Sequence, residues 1–124
     1  ALVDIDNFKS INDTWGHLNG DIVLRNVARE GLQILQPQNI SLYRYGGEEF
    51  AVIFTGEHIA NAPAILKSWR LNIAQRTWRE EGLMVTFSAG LGEWNMEPLE
   101  QLVVSVDEAL YKAKQQGKNR IVRA

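Results

Sequence analysis

Apolar residues recur along this chain with two different periods, and turn-forming residues stand where the period changes. Ala1 to Ile5 is a short apolar run that passes into Asp4-Ile5-Asp6-Asn7, as a buried strand entering a turn would. Asn12 to Asp21 holds Asn-Asp, Gly16 and Gly20, and reads as a loop or a broken short helix. Leu24, Val27, Ala28, Leu32 and Leu35 then repeat at helical spacing, with Gly31 weakening the helix and Pro37 stopping it. Ile40 to Tyr45 and Phe50 to Phe54 read as strands. Gly46-Gly47 between them signals a tight two-residue hairpin at positive φ. Ala62, Ile65, Leu66, Trp69 and Ile73 predict an amphipathic helix. Val85, Phe87, Ala89 and Leu91 alternate with Thr86, Ser88, Gly90 and Gly92, the period of a half-buried strand. Leu99, Leu102, Val103, Val106, Leu110 and Ala113 predict a last helix, begun near Pro98 and ended by Gly117, before a short strand at Ile121-Val122.

That order predicts an α/β fold, with helices packed on a sheet containing at least one antiparallel pair. At 124 residues the chain has room for one domain. The net charge of −2 argues against a basic nucleic-acid surface or a polybasic membrane patch, so neither nucleic acid nor direct membrane contact is expected. With no cysteine, disulfides and thiolate metal sites are excluded. No apolar run is long enough to span a bilayer. Ala1-Leu2-Val3 reads as the middle of a strand, so an upstream region is expected.

Three groups of residues could carry chemistry. Asp4 and Asp6 stand at a strand end, where a hard cation finds oxygen ligands, although both residues also form turns. Glu48 and Glu49 follow the Gly-Gly pair, where they meet a ligand or serve as charges guarding an apolar strand. Lys112, Lys114, Lys118 and Arg120 surround the end of the last helix, favoured there by its dipole or available to phosphate.

Together these segments resemble a known family. Asp4-Ile5-Asp6-Asn7-Phe8-Lys9-Ser10-Ile11-Asn12-Asp13-Thr14-Trp15-Gly16-His17, followed by Gly20-Asp21, is similar to the first signature of GGDEF domains. Arg44-Tyr45-Gly46-Gly47-Glu48-Glu49-Phe50 resembles their naming signature in its active Glu-for-Asp form, and Ala109 to Lys114 with Gly117 to Arg120 their closing one. The likeness covers essentially the whole of 1–124.

The resemblance implies a palm-like mixed sheet flanked by helices, of the nucleotidyl cyclase and ferredoxin-like kind, with the signature on a β-hairpin. It implies a diguanylate cyclase that condenses two GTP into cyclic di-GMP and two pyrophosphates, using magnesium, with manganese able to substitute. Asp4, the carbonyl of Ile5 and Glu48 would hold the metal, with Glu48 also the family's catalytic residue. Asn12 and Asp21 would read guanine, and Phe8 and Leu24 would line the base pocket. His17 stands at a substrate position, or is a structural loop histidine. Lys9, Lys114 and Lys118 would meet phosphates, with Lys118 standing where arginine is frequent. Glu49 would contact a second metal or the ribose, and Asp6 would orient its loop. One domain holds one GTP, so a homodimer is implied. The resemblance also implies a cytoplasmic domain, with a sensory or membrane domain upstream.

The chain departs from the family pattern in two places. Pro37-Gln38-Asn39-Ile40 stands where many relatives carry an inhibitory Arg-x-x-Asp, so that product-binding site is expected to be absent. The family's preceding helix is also missing. The alternatives are a silent module binding GTP or cyclic di-GMP, and a magnesium-dependent phosphohydrolase using Asp4 and Asp6.

Overall fold

The computed structural model describes residues 1–124. Five strands form one mixed sheet: β1 (Leu2–Ile5), β2 (Ser41–Arg44), β3 (Glu49–Ile53), β4 (Phe87–Leu91) and β5 (Ile121–Arg123). Four α-helices flank it: α1 (Phe8–Trp15), α2 (His17–Leu35), α3 (Ala62–Gln75) and α4 (Leu99–Gln115). The strand order is β2-β3-β1-β4-β5. β1 lies at the centre, antiparallel to both neighbours, while β4 and β5 run parallel. This topology gathers the end of β1, the β2–β3 hairpin, the start of β4 and the α4–β5 turn at one edge of the sheet.

Alternation along β1 sorts the two faces. Val3 and Ile5 join the main core with Val23, Val27 and Leu35 of α2 and with Leu66, Trp69 and Ile73 of α3. Leu2 packs instead on Val106 and Leu110 of α4. Asp4 shares the α4 side with Leu2, which is why a side chain of α4 can reach it.

β4 departs from the expected half-burial: all five of its residues are buried. Its apolar set faces the main core as the alternation predicts, but the polar set is covered by α4. Gly90 permits this, because a Cβ there would collide with the backbone of Val106 and Leu110. Small residues therefore mark a close helix approach here, where period alone suggested a wet face.

Of the two expectations for Asn12 to Asp21, the broken helix is the one the structure holds. α1 and α2 are separated by Gly16 alone, at φ 88°. Gly20 lies inside α2, which starts at His17, well before Leu24. The hairpin also differs from expectation. Neither Gly46 nor Gly47 has positive φ, and four residues, Tyr45 to Glu48, join the strands. The amides of Tyr45 and Gly46 both donate to the Glu49 carbonyl, and the Arg44 guanidinium donates to the carbonyls of Gly46 and Gly47. A longer loop braced by a side chain replaces the tight turn.

Candidate active site

The site is built on the seam between β1 and β3. Asp4 pairs with Glu49 across that seam, and the Ile5 amide donates to the Glu48 carbonyl at 3.1 Å. Cross-strand partners project to the same face, so the hairpin sets Glu49 beside Asp4, with Glu48 at the mouth of the strand. Burial raises the Glu49 carboxyl above its ordinary value, and the neighbouring charges of Asp4, Asp107 and Glu48 raise it further. This edge thus carries more negative charge than it can stabilise alone.

Lys114, in the last turn of α4, supplies a cation. Its Nζ lies 3.0 Å from Asp4 Oδ1 and 2.8 Å from Asp6 Oδ1. The carbonyls of Asp4 and Ile5 accept at 3.4 and 3.5 Å. The cluster of cations near this helix end is therefore more than a dipole effect, because one of them is aimed at the end of β1.

Asp6 is buried and takes four donors. Oδ1 accepts from Lys114 and from the Ser88 hydroxyl at 2.7 Å, and Oδ2 from the Thr86 hydroxyl at 2.7 Å and the Asn119 amide at 3.0 Å. Burial by itself would raise this carboxyl, but the donors Lys114, Ser88, Thr86 and Asn119 hold it below the usual range. The Asn119 amide belongs to a turn in which Gly117, Lys118 and Asn119 all have positive φ. Such backbone is costly outside glycine. It is braced by Arg70 of α3, which donates to the carbonyl and the side chain of Asn119. Lys118 Nζ then donates to Asn7 Oδ1 at 2.6 Å, over the loop that opens α1.

A second group lies along α1 and α2. Asn12 Oδ1 fills the space that a Cβ on Gly20 would occupy, and Phe8 also borders that space. Asp21, next to Gly20, and Leu24, one turn further along α2, line a cavity of about 530 Å³ with Arg25, Leu32, Arg44 and Phe50. Phe8 and Asn12 are not part of that lining. His17 and Lys9 are exposed at the first turns of α2 and α1. Nothing in the sequence marks Arg25 as a cavity residue, and Arg44 is marked only by heading the hairpin motif.

The oxygens at the end of β1 fit a divalent cation. Asp4 Oδ1 and the Ile5 carbonyl already converge on one positive atom, the Lys114 ammonium, and surplus carboxylate charge stands beside them. No three acidic or histidine side chains are grouped closely enough to hold a metal by themselves. Magnesium keeps several waters and commonly takes substrate phosphates as ligands, so a sparse protein donor set suits it.

The family model described as "Diguanylate cyclase, GGDEF domain" matches residues 1–120. This chain belongs to the GGDEF family. Diguanylate cyclase A of Treponema denticola is 37% identical over 124 residues, which cover 97% of this chain and 33% of that protein. Diguanylate cyclase VdcA of Vibrio cholerae is 37% identical over 98% of this chain and 37% of its own length. The coiled coil and GGDEF domain of DgcB from Caulobacter crescentus, solved in complex with c-di-GMP, superposes with a TM-score of 0.91. It is 34% identical, over 99% of this chain and 67% of the solved one. The active GGEEF domain of a Vibrio cholerae diguanylate cyclase gives a TM-score of 0.89 at 31% identity, over 98% and 79% of the two chains. The sheet is therefore the palm-like fold of GGDEF domains. The chain spans about a third of the length of these two curated relatives.

Proposed function

We propose that this domain is one half of a diguanylate cyclase, binding one GTP and reacting it with the GTP held by a second copy. The observation that carries the reading is the convergence of Asp4, the Ile5 carbonyl and Lys114 beside the Glu48-Glu49 hairpin. A negatively charged seam with one aimed ammonium suits a metal-bound triphosphate. Asp4, the Ile5 carbonyl and Glu48 would hold magnesium, which when bound neutralises phosphate charge and acidifies the attacking hydroxyl. Glu48 serves chiefly as a ligand, because a carboxylate bound to a cation is a weak base. Lys9, Lys114 and Lys118 meet phosphate oxygens, Glu49 faces the second metal or the ribose, and His17 stands at the substrate's edge.

Asp21 reads guanine, since a carboxylate accepts from both N1–H and the exocyclic amine, a donor pair that adenine lacks. Asn12 is seated against Gly20 to assist, and Phe8 and Leu24 flank the base. In each half-reaction the 3′-oxygen of one GTP forms a bond to the α-phosphorus of the other. The bond to pyrophosphate breaks, and the hydroxyl proton leaves to solvent. Two such steps give cyclic di-GMP and two pyrophosphates. Catalysis is then mostly positioning and charge neutralisation, and two copies facing each other complete the site.

No helix is long and apolar enough to cross a membrane. We place the domain in the cytoplasm, where GTP is found, with a signal-receiving region elsewhere in the protein. Incubating the intact protein with GTP and magnesium tests the reading. Cyclic di-GMP with pyrophosphate is expected, and Glu48→Ala abolishes it while the fold persists. Binding without turnover would mean a silent module, and free phosphate a hydrolase.

A further inference from the structure

Asp6 has no place among the metal or nucleotide contacts assigned above, yet donors from three separate elements converge on it. A buried carboxylate is costly unless it is fully hydrogen-bonded, and here both oxygens are. Oδ1 receives Lys114 from α4 and Ser88 from β4; Oδ2 receives Thr86, just ahead of β4, and the Asn119 amide from the α4–β5 turn. Its side chain is 1% exposed, against 16% for Asp4, so it is too enclosed to meet a nucleotide itself. What it controls is the placement of two cations. Lys114 lies between Asp4 and Asp6, and without the Asp6 charge its ammonium has Asp4 as its one carboxylate partner. The cation would then settle on Asp4, neutralise it and withdraw from phosphate. The Asn119 amide anchors the positive-φ turn whose preceding residue is Lys118.

We propose that Asp6 is a positioning residue: it holds Lys114 and the Lys118-Asn119 turn where the triphosphate is met, without touching the nucleotide. The proposal rests on the cyclase reading for the identity of the ligand, but its test does not depend on turnover. In the intact protein, binding of a non-reacting α,β-methylene GTP is measured by calorimetry, and binding of guanosine by ligand-observed NMR. Asp6→Asn is expected to weaken the triphosphate by about tenfold, the scale of one charge-assisted hydrogen bond, and to leave guanosine unchanged. In a Lys114→Met background the same substitution is expected to weaken the triphosphate clearly less than tenfold, the remainder being the share of the Lys118-Asn119 turn. Equal losses for both ligands, or losses that add across the two substitutions, would overturn the proposal. If Asp6→Asn does not fold, Ser88→Ala replaces it. That change frees Oδ1 of its hydroxyl donor, and it must weaken the triphosphate only while Lys114 is present. Wild-type protein that binds the analogue but makes no cyclic di-GMP would sink the cyclase reading alone.

Discussion

Gly31 lies inside α2, one turn before its end, where alanine would ordinarily strengthen the helix by about 1 kcal/mol. Here Gly31→Ala is expected to destabilise the domain. A Cβ at this position would stand 2.7 Å from both Cε2 and Cζ2 of Trp69, and ordinary contact begins near 3.4 Å, so the ring must retreat by about 0.7 Å. The ring has little freedom to do so. Trp69 is fully buried, its centroid lies 4.7 Å from that of Phe87 and 6.3 Å from that of Phe50, and its Nε1 donates to the Val27 carbonyl at 3.0 Å. Overpacking of this kind costs about 1–3 kcal/mol, and losing the buried indole hydrogen bond adds about 1–3 kcal/mol. Set against the gain in propensity, the net loss is about 3 kcal/mol, or roughly 12 °C in Tm for a domain of this size. Urea unfolding of wild type, Gly31→Ala, Trp69→Leu and the double variant measures it. In the Trp69→Leu background the alanine should be neutral or stabilising. An alanine variant as stable as wild type, or the same penalty with and without the indole, would refute the steric argument.

Asp21→Ala should relax base selection, reducing the preference for GTP over ATP by at least about tenfold; an unchanged ratio of kcat/KM would remove Asp21 from the guanine site. Glu49 yields a pH test. Its carboxyl titrates above the ordinary 4.5 in the folded protein, so the ionised form opposes folding at neutral pH, and that penalty fades as pH falls through the raised value. With EDTA present, Glu49→Gln should therefore raise Tm at pH 7 and lose the advantage below about pH 4; a variant less stable at pH 7 would contradict the crowding. Where an inhibitory aspartate would stand, Ile40 is buried at 4% exposure. Micromolar cyclic di-GMP should accordingly leave the initial rate unchanged, and inhibition that is non-competitive with GTP would count against this. Ile40→Asp, by burying an unpaired charge, should cost about 3 kcal/mol or more in urea unfolding.

Local signals in the sequence were read well, and distant ones were not. The periods of α3, α4 and β3 predict those elements to within a residue or two, because each buries one face and leaves the other exposed. Gly16 breaks the helix as its residue type suggests, whereas Gly20 lies inside α2. Gly16 is a one-residue joint, and Gly20 is kept small by the Asn12 side chain against it. Thr86 and Ser88 looked like the wet side of a strand because nothing near them in sequence reveals that α4 covers it. Lys114 and Asp6 are 108 positions apart, so no local pattern could announce their pairing. Resemblance drew attention to both segments, but only the fold assigns Asp6 its four donors.

Those four donors carry a consequence for how the domain comes into being. Asp6 belongs to the first strand and turn, while its partners arrive 80 to 113 positions later. Contacts of such separation close late, because the loops between them must first be given up to order. The β1–β3 pairing, of shorter separation, can form before them, but Lys114 and the Lys118-Asn119 turn reach their places only after the end of the chain has closed on Asp6. A partly folded chain can therefore carry the acidic motif without the means to engage a triphosphate. On the proposed reading, the site that meets the triphosphate is completed by the last segment of the domain to be made.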